Sequence, residues 1–256
     1  MKEKNIAPAL SVGVGWAFST IWAGATSVSH PSFARAKELI DGGALGVVKS
    51  MEARVPRLWI AQSFHPAMKF ASPLRREVGV PTVFNILGPL TNPAGASNQL
   101  IGISNYEAAE KVAEALKILG TKNSLVVNGH NNLDEVSIEG NTTIWQVSGD
   151  SVKRRRARIS DFGLPESNLT NLVVDSISES AETIKDIFDG KGSDPLDNSP
   201  IASRRNAVVI NSASALVASG KTDSFHDAAE MAKISIDSGA AQSKLLELIN
   251  LSNKMD

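Results

Sequence analysis

The chain has 256 residues, of which 42% are hydrophobic, so it can bury the core of one large domain or two small ones. Its formal net charge of -1 gives no electrostatic case for a nucleic-acid or membrane partner, because proteins that bind such surfaces usually carry a basic excess. The lack of cysteine excludes disulfides, thiolate nucleophiles and cysteine-ligated metals, and the four histidines are too widely spaced for a zinc site.

The N-terminal stretch contains the main suggestion of a targeting segment. Residues 6–29 have no charged side chain, and Ala23-Gly-Ala25 resembles a signal-peptidase site. Pro8 and several glycine and hydroxyl residues interrupt the stretch, which makes it a poor membrane span. We therefore favour a buried or misplaced segment over a leader, and we expect a cytoplasmic protein without a membrane partner.

Residues 31–55 are predicted to form a helix followed by a strand. The helix ends at Ile40, Gly42 and Gly43 stop it, and a weakly alternating strand begins at Val47. These glycines follow a helix instead of opening one, so they lack the helix N-terminus with which glycine-rich loops bind phosphate. The segment weakly resembles part of nicotinamide dehydrogenases of the glucose-fructose oxidoreductase type.

The stretch from Phe64 onwards concentrates basic side chains in a short helical register. That register brings His65, Lys69 and Arg75 towards one end of the helix. Cations so placed repel each other unless an anion binds among them, and a planar guanidinium suits a carboxylate especially well. The pattern favours an acidic small ligand, although a solvated amphipathic helix is the alternative for each residue alone.

A tight loop follows at Asn85-Ile-Leu-Gly-Pro-Leu-Thr-Asn-Pro93. Gly88, Pro89 and Pro93 prevent a regular element there, so the loop is expected to be preorganised. Loops of this kind often carry function, whereas a purely structural turn is the alternative.

Three motifs together resemble the anthranilate phosphoribosyltransferase family: His65-Pro-Ala-Met-Lys69, Arg75-Arg-Glu-Val-Gly79 and Phe84-Asn-Ile-Leu-Gly-Pro-Leu-Thr-Asn-Pro93. The resemblance extends to about residue 250 and ends upstream near residue 58. It implies an α/β fold with a parallel-sheet core and flanking helices, like the large domain of the nucleoside phosphorylase/phosphoribosyltransferase fold. It also implies that the family's N-terminal helical domain, through which members pair as homodimers, is largely missing.

The resemblance implies a reaction and a substrate pocket. A phosphoribosyl group would pass from phosphoribosyl pyrophosphate to the amine of anthranilate, releasing pyrophosphate, as a step of tryptophan biosynthesis. Arg75 would clamp the anthranilate carboxylate, while His65, Lys69 and Asn85 shape the pocket. The Gly88-Pro89 loop would close beside it.

The chain departs from the family upstream of residue 58. The family's Gly-Thr-Gly-Gly-Asp loop and Lys-His-Gly-Asn segment, which hold phosphoribosyl pyrophosphate, do not occur in this sequence. We therefore divide the chain into an atypical segment at 1–58, as a gene fusion or frame error would produce, and a phosphoribosyltransferase-like α/β domain at 59–256. Without that loop the transferase could be inactive.

An alternating pattern follows, with a strand at Gln99–Ser104, a helix at Tyr106–Leu119 and a second strand at Ser124–Asn128. The loop after the second strand contains Asp134 and Glu135. Carboxylates at the ends of such strands lie where open α/β sheets usually bind ligands.

Asp134 and Glu135 are the candidate metal ligands. Neighbouring residues of an extended segment face opposite ways, so each could hold a different Mg²⁺ on one pyrophosphate. A solvated turn is the alternative for a lone acidic pair. The Leu-Asp-Glu of the family implies the metal role, and we assign Mg²⁺ as the cofactor.

The next segment contains a strand at Asn141–Ser148 and the basic run Lys153–Arg158. The run lacks the interleaved aromatic residues of a single-stranded nucleic-acid site, and a charged edge strand is the preferred interpretation. Four C-terminal helices are predicted from their start and stop residues. They are Ser178–Phe188, Ile201–Ala218, Ser224–Ser238 and Ala240–Leu251, and we attribute the small residues and Asn211 of the second to close packing.

Two alternatives to an active transferase stay open. One is a non-catalytic relative that binds nucleic acid or other anions, for which the basic run is the indication. The other is a truncated or fused product without turnover, for which the atypical segment is the indication.

Overall fold

The computed structural model describes Leu90 and residues 97–253. The helix and strand predicted within 31–55, and the short helix predicted after Phe64, lie outside these residues. The elements follow in the order β1 (Asn98–Gly102), α1 (Tyr106–Ile118), β2 (Asn123–Asn128), β3 (Thr142–Ser148), β4 (Ser151–Ala157), α2 (Ile177–Phe188), α3 (Pro200–Ala218), α4 (Phe225–Asp237) and α5 (Ala240–Asn253).

The four described strands form one sheet in the order β1-β2-β3-β4. β1 and β2 are parallel, because α1 carries the chain back across the sheet between them. β3 is antiparallel to β2. β4 is antiparallel to β3 because the turn at Gly149 and Asp150 is too short for a crossover, and Gly149 supplies the positive φ of 53° that this hairpin needs. The α/β class with flanking helices is confirmed, and the described sheet is mixed.

The sheet is covered on both faces. Val126 and Trp145, which are register partners, pack with Ile101 against α1. Leu125 and Val127 point the other way, into a cluster with α3 and α4. This alternation follows from the two-residue period of a strand, and it gives β2 no solvent-facing side.

Side-chain caps begin the helices where the sequence predicts them. Asn105 Oδ1 accepts from the Ala108 amide at 2.8 Å to start α1, and the Ser224 hydroxyl does the same for α4. In α3, the Ser199 cap is followed by Pro200, whose fixed φ suits the first helical position. All four predicted C-terminal helices are confirmed to within one or two residues.

The basic run lies on β4, the outermost described strand on its side of the sheet, except for Arg158, which directly follows the strand. Arg154 donates to the Tyr106 hydroxyl at 2.9 Å, whereas Arg155 lies 4.3 Å from the centre of the Phe225 ring on the other face. Arg158 donates to Asn141 Oδ1 at 2.9 Å. These contacts give the arginines partners within the protein, as expected for a charged edge strand.

Among the described residues, no helix combines the length and the apolar character that crossing a membrane would require.

Candidate functional site

The loop between β2 and β3, residues 129–141, contains both candidate metal ligands, and we call it the acidic loop. It begins at the carboxyl end of the parallel pair formed by β1 and β2. Buried Asn128 at the end of β2 donates to the carbonyls of Ile103 and Ser104, at 2.8 and 3.0 Å, which holds the two strand ends together. Asp134 and Glu135 therefore lie at the sheet edge where the sequence predicted them.

Two glycines allow the acidic loop to lie directly against the strand ends. A methyl group added to Gly102 would overlap the backbone carbonyl of Asp134, and one added to Gly129 would overlap the carbonyl of Glu135. Gly129 also donates its amide to the Leu133 carbonyl at 2.7 Å, which closes the loop on itself. The main chain at both carboxylates is thus in van der Waals contact with backbone that has no side chain.

The acidic loop contains two consecutive residues in the left-handed region. Asn131 has φ 56° and ψ 35°, and Asn132 has φ 59°. Asparagine tolerates this conformation better than other residues with a side chain, but it still costs more than glycine there. Backbone strain is therefore concentrated two residues before Asp134, as is common at functional sites.

We expect Asn132→Ala to lower the free energy of unfolding by about 1 kcal/mol, because alanine has no polar side chain with which to stabilise the left-handed conformation. Asn132→Gly should leave the free energy unchanged or raise it slightly. Urea unfolding of both variants measures the difference. Equal stabilities for the two would show that the positive φ at this position carries no strain.

The two carboxylates lie in different surroundings. Glu135 is buried, with 4% of its surface exposed, and no described residue donates a hydrogen bond to its carboxylate. Burial raises its pKa well above the ordinary value of 4.5, and the neighbouring charge of Asp134 raises it further. Asp134 reaches solvent, but partial desolvation raises its pKa too. Both groups therefore hold protons more tightly than free carboxylic acids do.

The acidic pair fits a magnesium ion that arrives with a substrate. The described residues contain no cluster of three or more side chains that could enclose a metal. Mg²⁺ keeps several waters and commonly takes one or two protein carboxylates together with substrate phosphates, so the pair alone is enough. A buried carboxylate without a hydrogen-bond donor has its lone pairs free, and a cation can take the place of its proton.

The predicted substrate pocket lies outside the described residues, so its arrangement stays a prediction. This holds for His65, Lys69, Arg75, Asn85, Gly88 and Pro89. Leu90, which follows Pro89, is described, and it packs against the cluster between α1 and the sheet.

Asn211 is the polar residue at this site that the sequence interpretation attributed to packing alone. It is fully buried in the middle of α3, and its Oδ1 accepts from the Val136 amide at 2.9 Å. Its Nδ2 donates back to the Val136 carbonyl at 3.2 Å. The sequence did contain a sign of this role: Asn211 is an amide in a helix otherwise rich in small and apolar residues, and a buried amide must find hydrogen-bond partners.

Comparison with known proteins shows the family of the chain. The model of the glycosyl transferase family, a/b domain, matches residues 44–242. An anthranilate phosphoribosyltransferase of Herpetosiphon aurantiacus is 36% identical over 250 residues, which cover 93% of this chain and 72% of that protein. The chain belongs to the anthranilate phosphoribosyltransferase family. The resemblance noted from the three motifs is thereby confirmed.

Further members of the anthranilate phosphoribosyltransferase family match over most of this chain. The protein of Nitrosomonas eutropha is 40% identical over 195 residues, covering 76% of this chain and 54% of that protein. The structure of the Saccharomyces cerevisiae enzyme in complex with PRPP and Mg has a TM-score of 0.66 and 27% identity, covering 98% of this chain and 69% of that one. The chain thus spans between about half and three quarters of these relatives.

The family match begins at residue 44, upstream of the domain boundary predicted near residue 58. The division into segments 1–58 and 59–256 stays a prediction.

Proposed function

We propose that this chain is an anthranilate phosphoribosyltransferase, a cytoplasmic enzyme that transfers a phosphoribosyl group from phosphoribosyl pyrophosphate to anthranilate with Mg²⁺. The observation that carries the proposal is the buried Glu135 beside Asp134 at the carboxyl end of β1 and β2. The family membership and the relative solved with PRPP and Mg support the choice of substrates. The family resemblance also supports a homodimer, which sedimentation of the purified chain would test.

The reaction builds positive charge at the sugar carbon while negative charge accumulates on the departing pyrophosphate. A bound Mg²⁺ would neutralise that negative charge. Glu135 would release its proton and present a carboxylate from the buried side of the acidic loop, and Asp134 would do so from the solvent side. Because the two side chains differ in exposure, they can address different positions on one pyrophosphate.

In this proposal the basic residues of the earlier segment bind the acceptor. Arg75 would hold the anthranilate carboxylate with two parallel hydrogen bonds, which a guanidinium forms readily. His65, Lys69 and Asn85 would shape the pocket, and the loop at Gly88 and Pro89 would close beside it.

The decisive experiment measures metal binding and turnover separately. Mn²⁺ serves as the probe, followed by the electron paramagnetic resonance signal of the free ion, and anthranilate fluorescence follows turnover with phosphoribosyl pyrophosphate present. We expect Asp134→Asn and Glu135→Gln each to weaken Mn²⁺ binding by about ten-fold or more, because each removes a charged ligand. Any turnover should require Mg²⁺ and fall with the same variants.

Glu230→Gln is the matched control. Glu230 pairs with Lys233 at 2.7 Å on α4, half exposed, and such pairs contribute little to stability. Its loss should leave Mn²⁺ binding unchanged. If the wild-type chain binds no Mn²⁺, or if all three variants bind it equally, the acidic pair does not hold the metal.

Turnover is measured separately from metal binding because it also needs a site that holds the pyrophosphate. In the family this is the Gly-Thr-Gly-Gly-Asp loop, whose charge-assisted hydrogen bonds would contribute roughly 1.5 to 3 kcal/mol each. Metal binding with no consumption of anthranilate would indicate a family member without turnover.

The alternative of a nucleic-acid-binding relative depends on the basic run. Arg154, Arg155 and Arg158 each have a partner within the protein, which leaves less of the run for phosphate contacts. Retention on single-stranded DNA that weakens steeply with salt would favour this alternative. We expect no such retention.

A further inference from the structure

The backbone that follows Glu135 is fastened to the centre of α3 by a single side chain. Asn211 accepts from the Val136 amide through Oδ1 at 2.9 Å and donates to the Val136 carbonyl through Nδ2 at 3.2 Å. The two bonds pair one residue in both directions, as a neighbouring strand would. A third bond, from Nδ2 to the Ala207 carbonyl at 2.9 Å, holds the amide in one orientation on its own helix.

Burial prevents water from replacing the hydrogen bonds between Asn211 and Val136. Asn211 has no exposed surface, and Val136 is 2% exposed. If the amide moved away, the N–H and C=O groups of Val136 would lose these partners where solvent cannot reach them. The acidic loop and α3 are therefore held in one relative position at this point.

The attachment restricts the direction in which the Glu135 side chain projects from the main chain. On one side of Glu135, the carbonyl of the preceding peptide, that of Asp134, lies against Gly102, where no side chain separates them. On the other side, the next residue is held by Asn211. With the peptides before and after Glu135 both held, the Cα–Cβ direction of Glu135 has little freedom, and preorganised ligands bind metal more tightly than mobile ones.

We propose that Asn211 is a positioning residue for the acidic pair: by holding Val136 it fixes the direction of the Glu135 carboxylate, without itself touching metal or substrate. This role rests on the proposed function of Asp134 and Glu135 as magnesium ligands.

The test compares Asn211→Leu with Ile236→Ala in the full chain. Leucine has the same branching as asparagine but no polar atoms. Ile236 is 2% exposed in α4, and its truncation weakens the same core without removing a bond to the acidic loop. Two quantities are measured on each protein: the affinity for Mn²⁺ and the hydrogen-exchange rate of the Val136 amide.

We expect Asn211→Leu to bind Mn²⁺ about ten-fold more weakly than wild type, the lower end of the range for residues that orient metal ligands. Its Val136 amide should exchange much faster, while Ile236→Ala keeps wild-type affinity. If Asn211→Leu does not fold, Asn211→Ala decides, because it also lacks the amide and cannot overfill the site.

Three results would overturn the proposal. One is unchanged Mn²⁺ affinity in the folded Asn211 variant although the Val136 amide exchanges faster. Another is an equal loss of affinity in Ile236→Ala, which would indicate a general effect of stability. A wild-type chain that binds no Mn²⁺ would overturn the proposed metal role and this inference with it, and it is recognised without any variant.

Discussion

Gly102→Ala is expected to lower the free energy of unfolding by about 3 kcal/mol, at the upper end of what an added methyl group in a packed interior costs. Gly102 has no positive φ, so alanine is compatible with its backbone conformation, and the cost is purely steric. The methyl group would overlap the carbonyl of Asp134, which is main chain and has no rotamer to change. The acidic loop must therefore move, and Mn²⁺ binding should fall together with stability. Urea unfolding and Mn²⁺ titration measure the two effects.

Gly120→Ala is the matched control for this substitution. Gly120 has φ 75° and no atom near the position of an added methyl group. Alanine there should cost about 1–2 kcal/mol from backbone strain alone, without weakening Mn²⁺ binding. If Gly102→Ala resembles this control in both measurements, the close contact between Gly102 and the acidic loop determines neither the stability of the protein nor its Mn²⁺ binding.

Glu135→Gln is expected to make the protein more stable at neutral pH while removing most of its Mn²⁺ binding. The folded state raises the pKa of Glu135 above its ordinary value of 4.5, mainly by burial. Below that value the group is protonated in both states and burial costs little. As the pH rises towards the folded-state pKa, the unfolded chain loses its proton first, so wild-type stability falls. Glutamine is neutral throughout and avoids this loss.

The melting temperature measured between pH 4 and pH 8 tests this expectation. The difference between Glu135→Gln and wild type should be small at pH 4 and grow as the pH rises. Added Mg²⁺ should stabilise wild type more than the variant, because the variant binds the ion more weakly. Glu230→Gln should follow wild type at every pH. A constant difference across the range would mean that Glu135 is not held protonated in the folded state.

Much of the described fold could be predicted because its signals are local. Asn105 and Ser224 initiate helices through bonds to amides three residues away. The position of Asp134 and Glu135 at a strand end also follows from the order of strand, helix and strand. The mixed sheet begins where β3 pairs antiparallel with β2, and only the next antiparallel pair, β3 with β4, follows from the short connection at Gly149.

The contacts that hold the acidic loop could not be predicted, because they join distant parts of the chain. Asn211 and Val136 are 75 residues apart in sequence. Gly102 and Asp134 come together only when β1 and β2 lie side by side. Burial of Glu135 is likewise a property of the assembled layers, so its raised pKa was not foreseeable from a pair of adjacent acids.

One consequence follows from the way β2 is joined to α3. Asn123, at the start of the strand, donates to the carbonyls of Val217 and Ala218 near the end of the helix, at 3.1 and 2.9 Å. Asn211, further back in the helix, holds the residue after the acidic pair. Two attachments along α3 prevent β2 and the acidic loop from rotating separately from the helix. The strand and the helix should therefore move as one rigid unit, so that a displacement of the C-terminal end of α3 also displaces the Asp134 and Glu135 carboxylates.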